Sequence, residues 1–389
     1  MTVSADELME QACAATGLDD YGPDTFLEGL RIYCDSVNES AQLDDFGTVA
    51  IPGTITNALV NRLKVVDHRR SHPEVADEAI DAPLVVIGMF RAGTTLFGNL
   101  LDADPANRCL LRWEGGDSAP PPTRGDFRQG PRVDAAAFGN EILESVTPAM
   151  KWIHHEEAAG PTECISVMSQ DWKSLSWEAI TYVPAYDEWL LGTDHTSAYR
   201  WHRDVLQVLQ SGGVRGRWAL KSPHHVLALD ALTTVYPDAR LVVLHRDPAS
   251  LAASVCSLTS TLMSTFSTAD HRPIVAAHWV DGILRESVDR LEAFRTAHPD
   301  RTIVDVQYQD FVRDPIGTMR SVYEHTSGDE HPLTDAAVVS MQRYLDDNPQ
   351  GKHGRHSYDL AEFGRSAAEV REQFGDYIAR YDIPLDGQE

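Results

Sequence analysis

Lysine is scarce in this chain. Only five occur in 389 residues, at Lys64, Lys151, Lys173, Lys221 and Lys352. Basic residues total 33 against 59 acidic ones, for a formal net charge of −26. So acidic a chain repels nucleic acid and anionic membrane surfaces, which excludes general polyanion binding. An anionic ligand must therefore find its cations placed locally. Cysteine is scarce too. Cys13, Cys34, Cys109, Cys164 and Cys256 are irregularly spaced and form no C-x-x-C pair, which reads as free or buried thiols in a reducing compartment. The opening Met-Thr-Val-Ser-Ala-Asp-Glu-Leu-Met-Glu has neither the basic nor the apolar stretch of a signal peptide. No apolar run approaches the ~20 residues that span a bilayer. These absences together predict a soluble cytoplasmic protein without integral membrane association. The hydrophobic fraction, 42%, is ordinary, and the length suffices for one large domain or two smaller ones.

What is present is a pair of loops about 150 residues apart, each after an apolar run. The first is Pro83-Leu-Val-Val-Ile-Gly88-Met-Phe-Arg91-Ala-Gly93-Thr94-Thr95-Leu96. Gly88 and Gly93 have the G-x-x-x-x-G spacing of a phosphate cradle, whose backbone N–H groups converge on an anion at a helix N-terminus. A nucleotide kinase or ATPase would need Lys and then Ser or Thr after the second glycine. Thr94 stands at the Lys position, and Arg91 is the only cation in the loop. The second loop follows Ala239-Arg-Leu-Val-Val-Leu-His245 and carries Arg246, with Ser254 eight residues later.

Hydrophobic spacing predicts helices between residues 4 and 75, a short strand or strand end at Leu110–Glu114, and a Gly/Pro-rich loop over 115–132. Residues 134–215 read as mainly helical. Beyond them, strands at Trp218–Leu220, Leu241–His245 and Thr302–Val306 alternate with helices. This predicts an α/β fold with a P-loop-like central parallel sheet flanked by helices, and with an N-terminal helical cap. Residues 1–80 are expected to be that helical region, packed on a main α/β domain of residues 81–389. Ligands of such sheets sit beyond the carboxyl ends of the strands.

Phe90-Arg-Ala-Gly-Thr-Thr95 resembles the 5′-phosphosulfate loop of sulfotransferases, P-[KR]-S-G-T-T, with Phe90 for Pro and Ala92 for Ser. Arg246 with Ser254 resembles their 3′-phosphate pair. Leu220-Lys221-Ser222-Pro223-His224-His225 resembles the L-K-S-P-x-H element of bacterial members. Gly351-Lys352-His353-Gly354-Arg355-His356, followed by Tyr358, resembles their closing basic loop. The four elements occur in the family's order and span most of the chain. The resemblance implies transfer of a sulfuryl group from 3′-phosphoadenosine 5′-phosphosulfate to a hydroxyl, less often an amine, of a small-molecule or lipid acceptor. No nucleic acid partner is implied. The step is an in-line displacement, and because the leaving nucleotide phosphate is already a stable anion, no metal is required.

The resemblance also implies roles. Arg91, Ala92, Gly93, Thr94 and Thr95 hold the 5′-phosphate, and Lys221 offsets charge on the bridging oxygen. Arg246 and Ser254 bind the 3′-phosphate, Tyr308 approaches the adenine, and Lys352, Gly354 and Arg355 close over the nucleotide. His225 is the expected general base, since imidazole suits proton removal near neutral pH. Glu114 is the other candidate. His154 and His155, adjacent on a helix, point apart and make a poor metal site. Trp172, Trp177, Trp189 and Trp201 either wall an acceptor pocket or, more simply, fill a helical core. A nucleotide kinase, a catalytically silent binder of the same fold, and a sulfation step that drives elimination remain open alternatives.

Overall fold

The computed structural model describes residues 2–153, 156–327, 330–349 and 359–387. At its centre are five parallel strands: β1 (Leu84–Gly88), β2 (Asn107–Cys109), β3 (Arg217–Lys221), β4 (Arg240–His245) and β5 (Ile303–Gln307), in the spatial order β2-β3-β1-β4-β5. Every residue of β1 is buried, as are Leu241 to His245 in β4. Unbroken apolar runs of this kind suit strands covered on both faces.

The register brings the strand ends together. Val86 lies opposite Lys221, Gly88 opposite Leu244, and His245 opposite Gln307. The loop after Gly88, Ser222, Arg246 and Tyr308 therefore leave the sheet at one edge. The chain runs from β1 to β2 and β3 on one side, then crosses to β4 on the other. That edge consequently holds the crevice where strand order reverses.

The helix after β4, Pro248–Phe266, starts cleanly. Asp247 accepts the Ala249 N–H at 3.0 Å, and Pro248 takes the first helical position, where an N–H has no partner to lose. By length and composition this helix could cross a membrane, but 61% of its apolar window is buried inside the fold.

The segment Leu110–Glu114 differs from the sequence reading. The strand stops at Cys109, and Arg112–Gly116 is a short helix. Its cause is local: the Glu114 carboxylate accepts the Leu111 N–H at 2.9 Å and caps the turn.

The N-terminal helices Ala5–Thr16, Leu27–Ser40 and Gly47–Ser71 pack on the tryptophan-rich segment. Tyr33 lies 4.9 Å from the Trp177 ring and bonds Thr181 at 2.9 Å. Arg62, almost fully buried, donates to the carbonyls of Tyr21, Pro23 and Gln170 and pairs with Asp171 at 3.3 Å. Its guanidinium also lies 4.4 Å from the Phe26 ring and 4.3 Å from the Trp201 ring. Trp172 and Trp177 stack on each other at 5.5 Å in the same core.

Candidate active site at the carboxyl edge of the sheet

The turn from β1 into the helix Thr94–Ala103 is sharp. Arg91 takes φ +69° and Gly93 φ +93°. Glycine adopts this region freely, and a Cβ on Gly93 would lie 2.7 Å from the Tyr308 ring. For Arg91 the same region costs on the order of 1–3 kcal/mol, a strain that gathers at functional sites. The strained turn sends its side chain across the crevice. Arg91 Nε donates to Ser254 Oγ at 2.9 Å, and an Nη donates to the Ile153 carbonyl at 3.1 Å. The N–H groups of the helix's first turn lack intrahelical partners and suit an anion.

Ala92 does not contribute as expected. Its N–H donates to the Met89 carbonyl at 3.1 Å, and its methyl is buried. Ala92 is not among the residues that line the crevice.

Arg246 completes the cluster. It donates to the Arg91 carbonyl at 3.1 Å and to Asp386 Oδ2 at 3.1 Å, and its guanidinium lies 4.1 Å from the Tyr308 ring centroid. Two cavities meet at this point. One, of about 300 Å³, is lined on its polar side by Arg91, Thr94, Thr95, Arg246, Ser254 and Tyr308, and on its apolar side by Leu175, Ala179, Leu258, Leu262 and Trp279. The other, of about 460 Å³, is lined by Arg246, Ser250, Ser254, Arg365 and Arg371 among others. Arg246 and Ser254 belong to both walls.

Lys221, the last residue of β3, is buried and donates from Nζ to Glu163 Oε1 at 3.1 Å. Glu163 lines the smaller cavity beside Pro223. It is held there by its neighbour, since the Cys164 N–H donates to the Lys221 carbonyl at 3.0 Å. The sequence reading missed Glu163. The one available signal was that a lysine ending a buried strand needs a carboxylate partner.

His225 has no face on the cavity. It is 1% exposed, and its Nδ1 is 2.8 Å from the Tyr199 hydroxyl. The 3₁₀ turn Pro223–Ala228 directs both histidines into the core, where His224 Nε2 lies 3.0 Å from His195 Nδ1. Burial, reinforced by the neighbouring His202, drives the His225 pKa well below the ordinary imidazole range. A general base must reach the proton it removes, and His225 reaches none in the cavity.

Glu114 is corrected on similar grounds. It is fully buried, and both its oxygens accept from the Arg108 guanidinium. It is a structural ion pair.

The tryptophan-rich segment also resolves to core. None of its four tryptophans lines the smaller cavity; Trp279, which the sequence reading did not single out, does. Lys352, Gly354, Arg355 and Tyr358 lie outside the described residues, as do His154 and His155.

Comparison with known proteins agrees with this geometry. A model of the sulfotransferase family matches residues 83–330. The chain is 26% identical over 332 residues to the omega-hydroxy-beta-dihydromenaquinone-9 sulfotransferase Stf3 of Mycobacterium tuberculosis (strain CDC 1551 / Oshkosh), a match covering 82% of this chain and 79% of the relative. The same figures hold for the Mycobacterium bovis protein of that name. Sulfotransferase STF9 from Mycobacterium avium superposes with a TM-score of 0.90 at 35% identity, covering 99% of this chain and 98% of that one. Sulfotransferase STF1 from Mycobacterium tuberculosis H37Rv superposes with a TM-score of 0.85 at 32% identity, covering 96% of this chain and 99% of that one. A likeness in both backbone and sequence over nearly the whole length identifies the chain as an enzyme of the sulfotransferase family, of the mycobacterial type.

Proposed function

We propose that the enzyme takes its sulfuryl group from 3′-phosphoadenosine 5′-phosphosulfate and delivers it to a hydroxyl on a largely apolar, lipid-like acceptor. The observation that carries this reading is the shared wall. Arg246 and Ser254 stand between a cavity that begins at the Arg91–Thr95 loop and a second cavity lined by further arginines. A donor with phosphates at both ends of its ribose would use both. A nucleoside triphosphate would miss the lysine that grips a γ-phosphate. The apolar wall of Leu258, Leu262 and Trp279 suits a hydrophobic acceptor, in keeping with the menaquinone-derived acceptor in the relatives' name.

Glu163 is the general base in this reading, in place of His225. Its carboxylate faces the cavity and contacts Lys221 Nζ. The acceptor oxygen attacks sulfur as its proton passes to Glu163. The bond from sulfur to the bridging oxygen breaks, and that electron pair stays on the 5′-phosphate. Lys221, released from Glu163 as the carboxylate is protonated, can turn its charge to the new anion, with Arg91 alongside. Positioning and fixed charge carry the rest of the barrier.

A thermal-shift comparison tests the donor. At one hundred times its Kd, 3′-phosphoadenosine 5′-phosphate should stabilise the protein by about 2.7 kcal/mol, while ATP with Mg²⁺ should leave it unchanged. Equal stabilisation by ATP-Mg²⁺ would overturn the reading.

A further inference from the structure

Behind the apolar wall of the cavity lies a second cluster of chemistry-bearing side chains: Glu178 on the short helix Ser176–Ile180, Asp187 on Pro184–Gly192, and His278 in the π-helical stretch Ala277–Leu284. One ligand atom from each lies within 4.8 Å of the others. His278 Nε2 is 3.4 Å from a Glu178 oxygen, and its Nδ1 is 3.5 Å from Asp187 Oδ2.

The atoms without partners point to a ligand. Glu178 is fully buried, and neither of its carboxylate oxygens accepts from an N–H or hydroxyl donor; its polar neighbours are the Asp187 carboxyl and the His278 ring. Asp187 Oδ1 and His278 Nε2 are buried and also without a hydrogen bond. Among the described residues, no lysine or arginine pairs with either carboxylate. Two ionised carboxylates without a compensating charge cost several kcal/mol each to bury. Other buried side-chain atoms among the described residues also lack a partner, Ser36 Oγ, Trp172 Nε1 and His202 Nε2 among them, but they fall one to a residue, whereas four such atoms meet in this cluster. So concentrated a failure in one spot calls for a cation or for bound protons.

We infer that Glu178, Asp187 and His278 form a binding site for one divalent transition-metal ion of the zinc type. The donor set of two carboxylates and one imidazole suits such an ion in both softness and charge. Metal–ligand bonds of about 2.0–2.2 Å hold donors roughly 3.4 Å apart in a tetrahedral site, so donors that lie within 4.8 Å of one another would close by at most about 1.4 Å. Nε2, the ring nitrogen nearer Glu178, is then the imidazole ligand. The rival arrangement has the carboxyls holding protons instead. Burial pushes Glu178 up to about 7, against a hydrogen bond with Asp187 that lowers it, and burial, the Glu178 charge and that same hydrogen bond push Asp187 up to about 10.

The site is structural. Ala179 and Trp279, each adjacent in sequence to a ligand, line the cavity. The ion therefore ties the helix Ser176–Ile180 to the π-helical stretch and fixes the spacing of the acceptor wall. π-helical turns of this kind recur at functional sites. The inference stands whether or not the donor and acceptor assignments above hold, because it is read from metal content.

The untagged full-length protein, purified without chelator and supplied with Zn²⁺, should retain about one ion per chain after buffer exchange, and Co²⁺ in its place should give visible ligand-field absorption. Glu178→Gln and His278→Ala should each reduce retained metal to below about a tenth of an ion per chain. Far-UV circular dichroism and a cooperative thermal melt report whether each variant is folded. If the wild-type protein retains no ion and gives no Co²⁺ bands, the site is a proton-sharing cluster and the inference fails. Full retention by folded Glu178→Gln would overturn it equally, because the ion would then lie elsewhere.

Discussion

The cavity has two unlike halves. The polar half is made of strand ends: Arg91, Thr94 and Thr95 after β1, Arg246 and Ser254 after β4, and Tyr308 after β5. The apolar half is made of helix faces: Leu175 and Ala179 from one segment, Leu258 and Leu262 from the helix after β4, and Trp279 from the π-helical stretch. In the polar half the sheet register fixes the position of each group, and side chains bond one another across it. In the apolar half, positions depend on how separate helices pack. Donor binding should therefore be a property of the sheet, and acceptor choice a property of helix packing.

Glu163→Gln challenges this division most severely, because Glu163 reaches the cavity from a bend that belongs to neither half. Turnover should fall by roughly 10²–10⁴-fold while the thermal shift with 3′-phosphoadenosine 5′-phosphate persists. Near-normal turnover would remove Glu163 as the base.

Arg246→Ala should weaken nucleotide binding by roughly 10–100-fold, the loss of a charge-assisted contact of about 1.5–3 kcal/mol, and should act on the donor more than on the acceptor. Trp279→Ala should do the reverse. An acceptor KM raised about tenfold, with the nucleotide shift reduced far less than in Arg246→Ala, is the expected result for a lost apolar contact that touches the donor loop only through Phe90. If Trp279→Ala weakened donor and acceptor binding alike, the two halves would not be separable.

The smallest effect on catalysis is expected from His225→Ala: turnover per folded molecule should stay within about threefold of wild type, because a base that cannot reach the substrate contributes nothing to the step. Its consequence is for stability. Burial pushes His195 down to about 4 and His202 down to about 3, and drives His224 and His225 well below the ordinary range. The folded protein keeps these rings neutral, while the unfolded chain protonates them below a pH of about 6.5. The unfolded state then binds more protons, so stability is fully present above that pH and falls as pH falls. Each ring contributes about 1.4 kcal/mol per pH unit over the range between its unfolded and folded pKa values. Denaturant melts between pH 7.5 and 5 should steepen below 6.5 in the wild type and steepen less in His225→Ala. Equal slopes would mean that His225 already carries its proton in the fold.

The polar half was legible in the sequence because an apolar run ending in a glycine or a charge marks a strand end, and parallel strands share an edge. Arg91, Arg246, Ser254 and Tyr308 followed from that reasoning together with the family's motif order. Glu163 and Trp279 were not legible. Each is near the site only through tertiary packing, and neither sits in a local pattern. His225 was misread for a related reason. It lies four residues after Lys221, but nearness in sequence does not fix direction, and a 3₁₀ turn sends its ring toward Tyr199. Glu114 looked available until Arg108 accounted for both its oxygens. The tryptophan-rich segment followed the plainer of its two readings, because large rings on adjoining helices meet most readily in a core.

Phe90 joins the two halves. Where the family pattern has proline, this chain has a ring that stands edge-on to Trp279 at 5.1 Å. For protein engineering, the donor loop and the acceptor wall are thus coupled at this one contact. A library that varies Trp279 alone to admit a bulkier acceptor would also loosen the turn that carries Arg91. Substitutions at positions 90 and 279 should be sampled as pairs, with the combined ring volume held constant, so that specificity can change without detuning the donor loop.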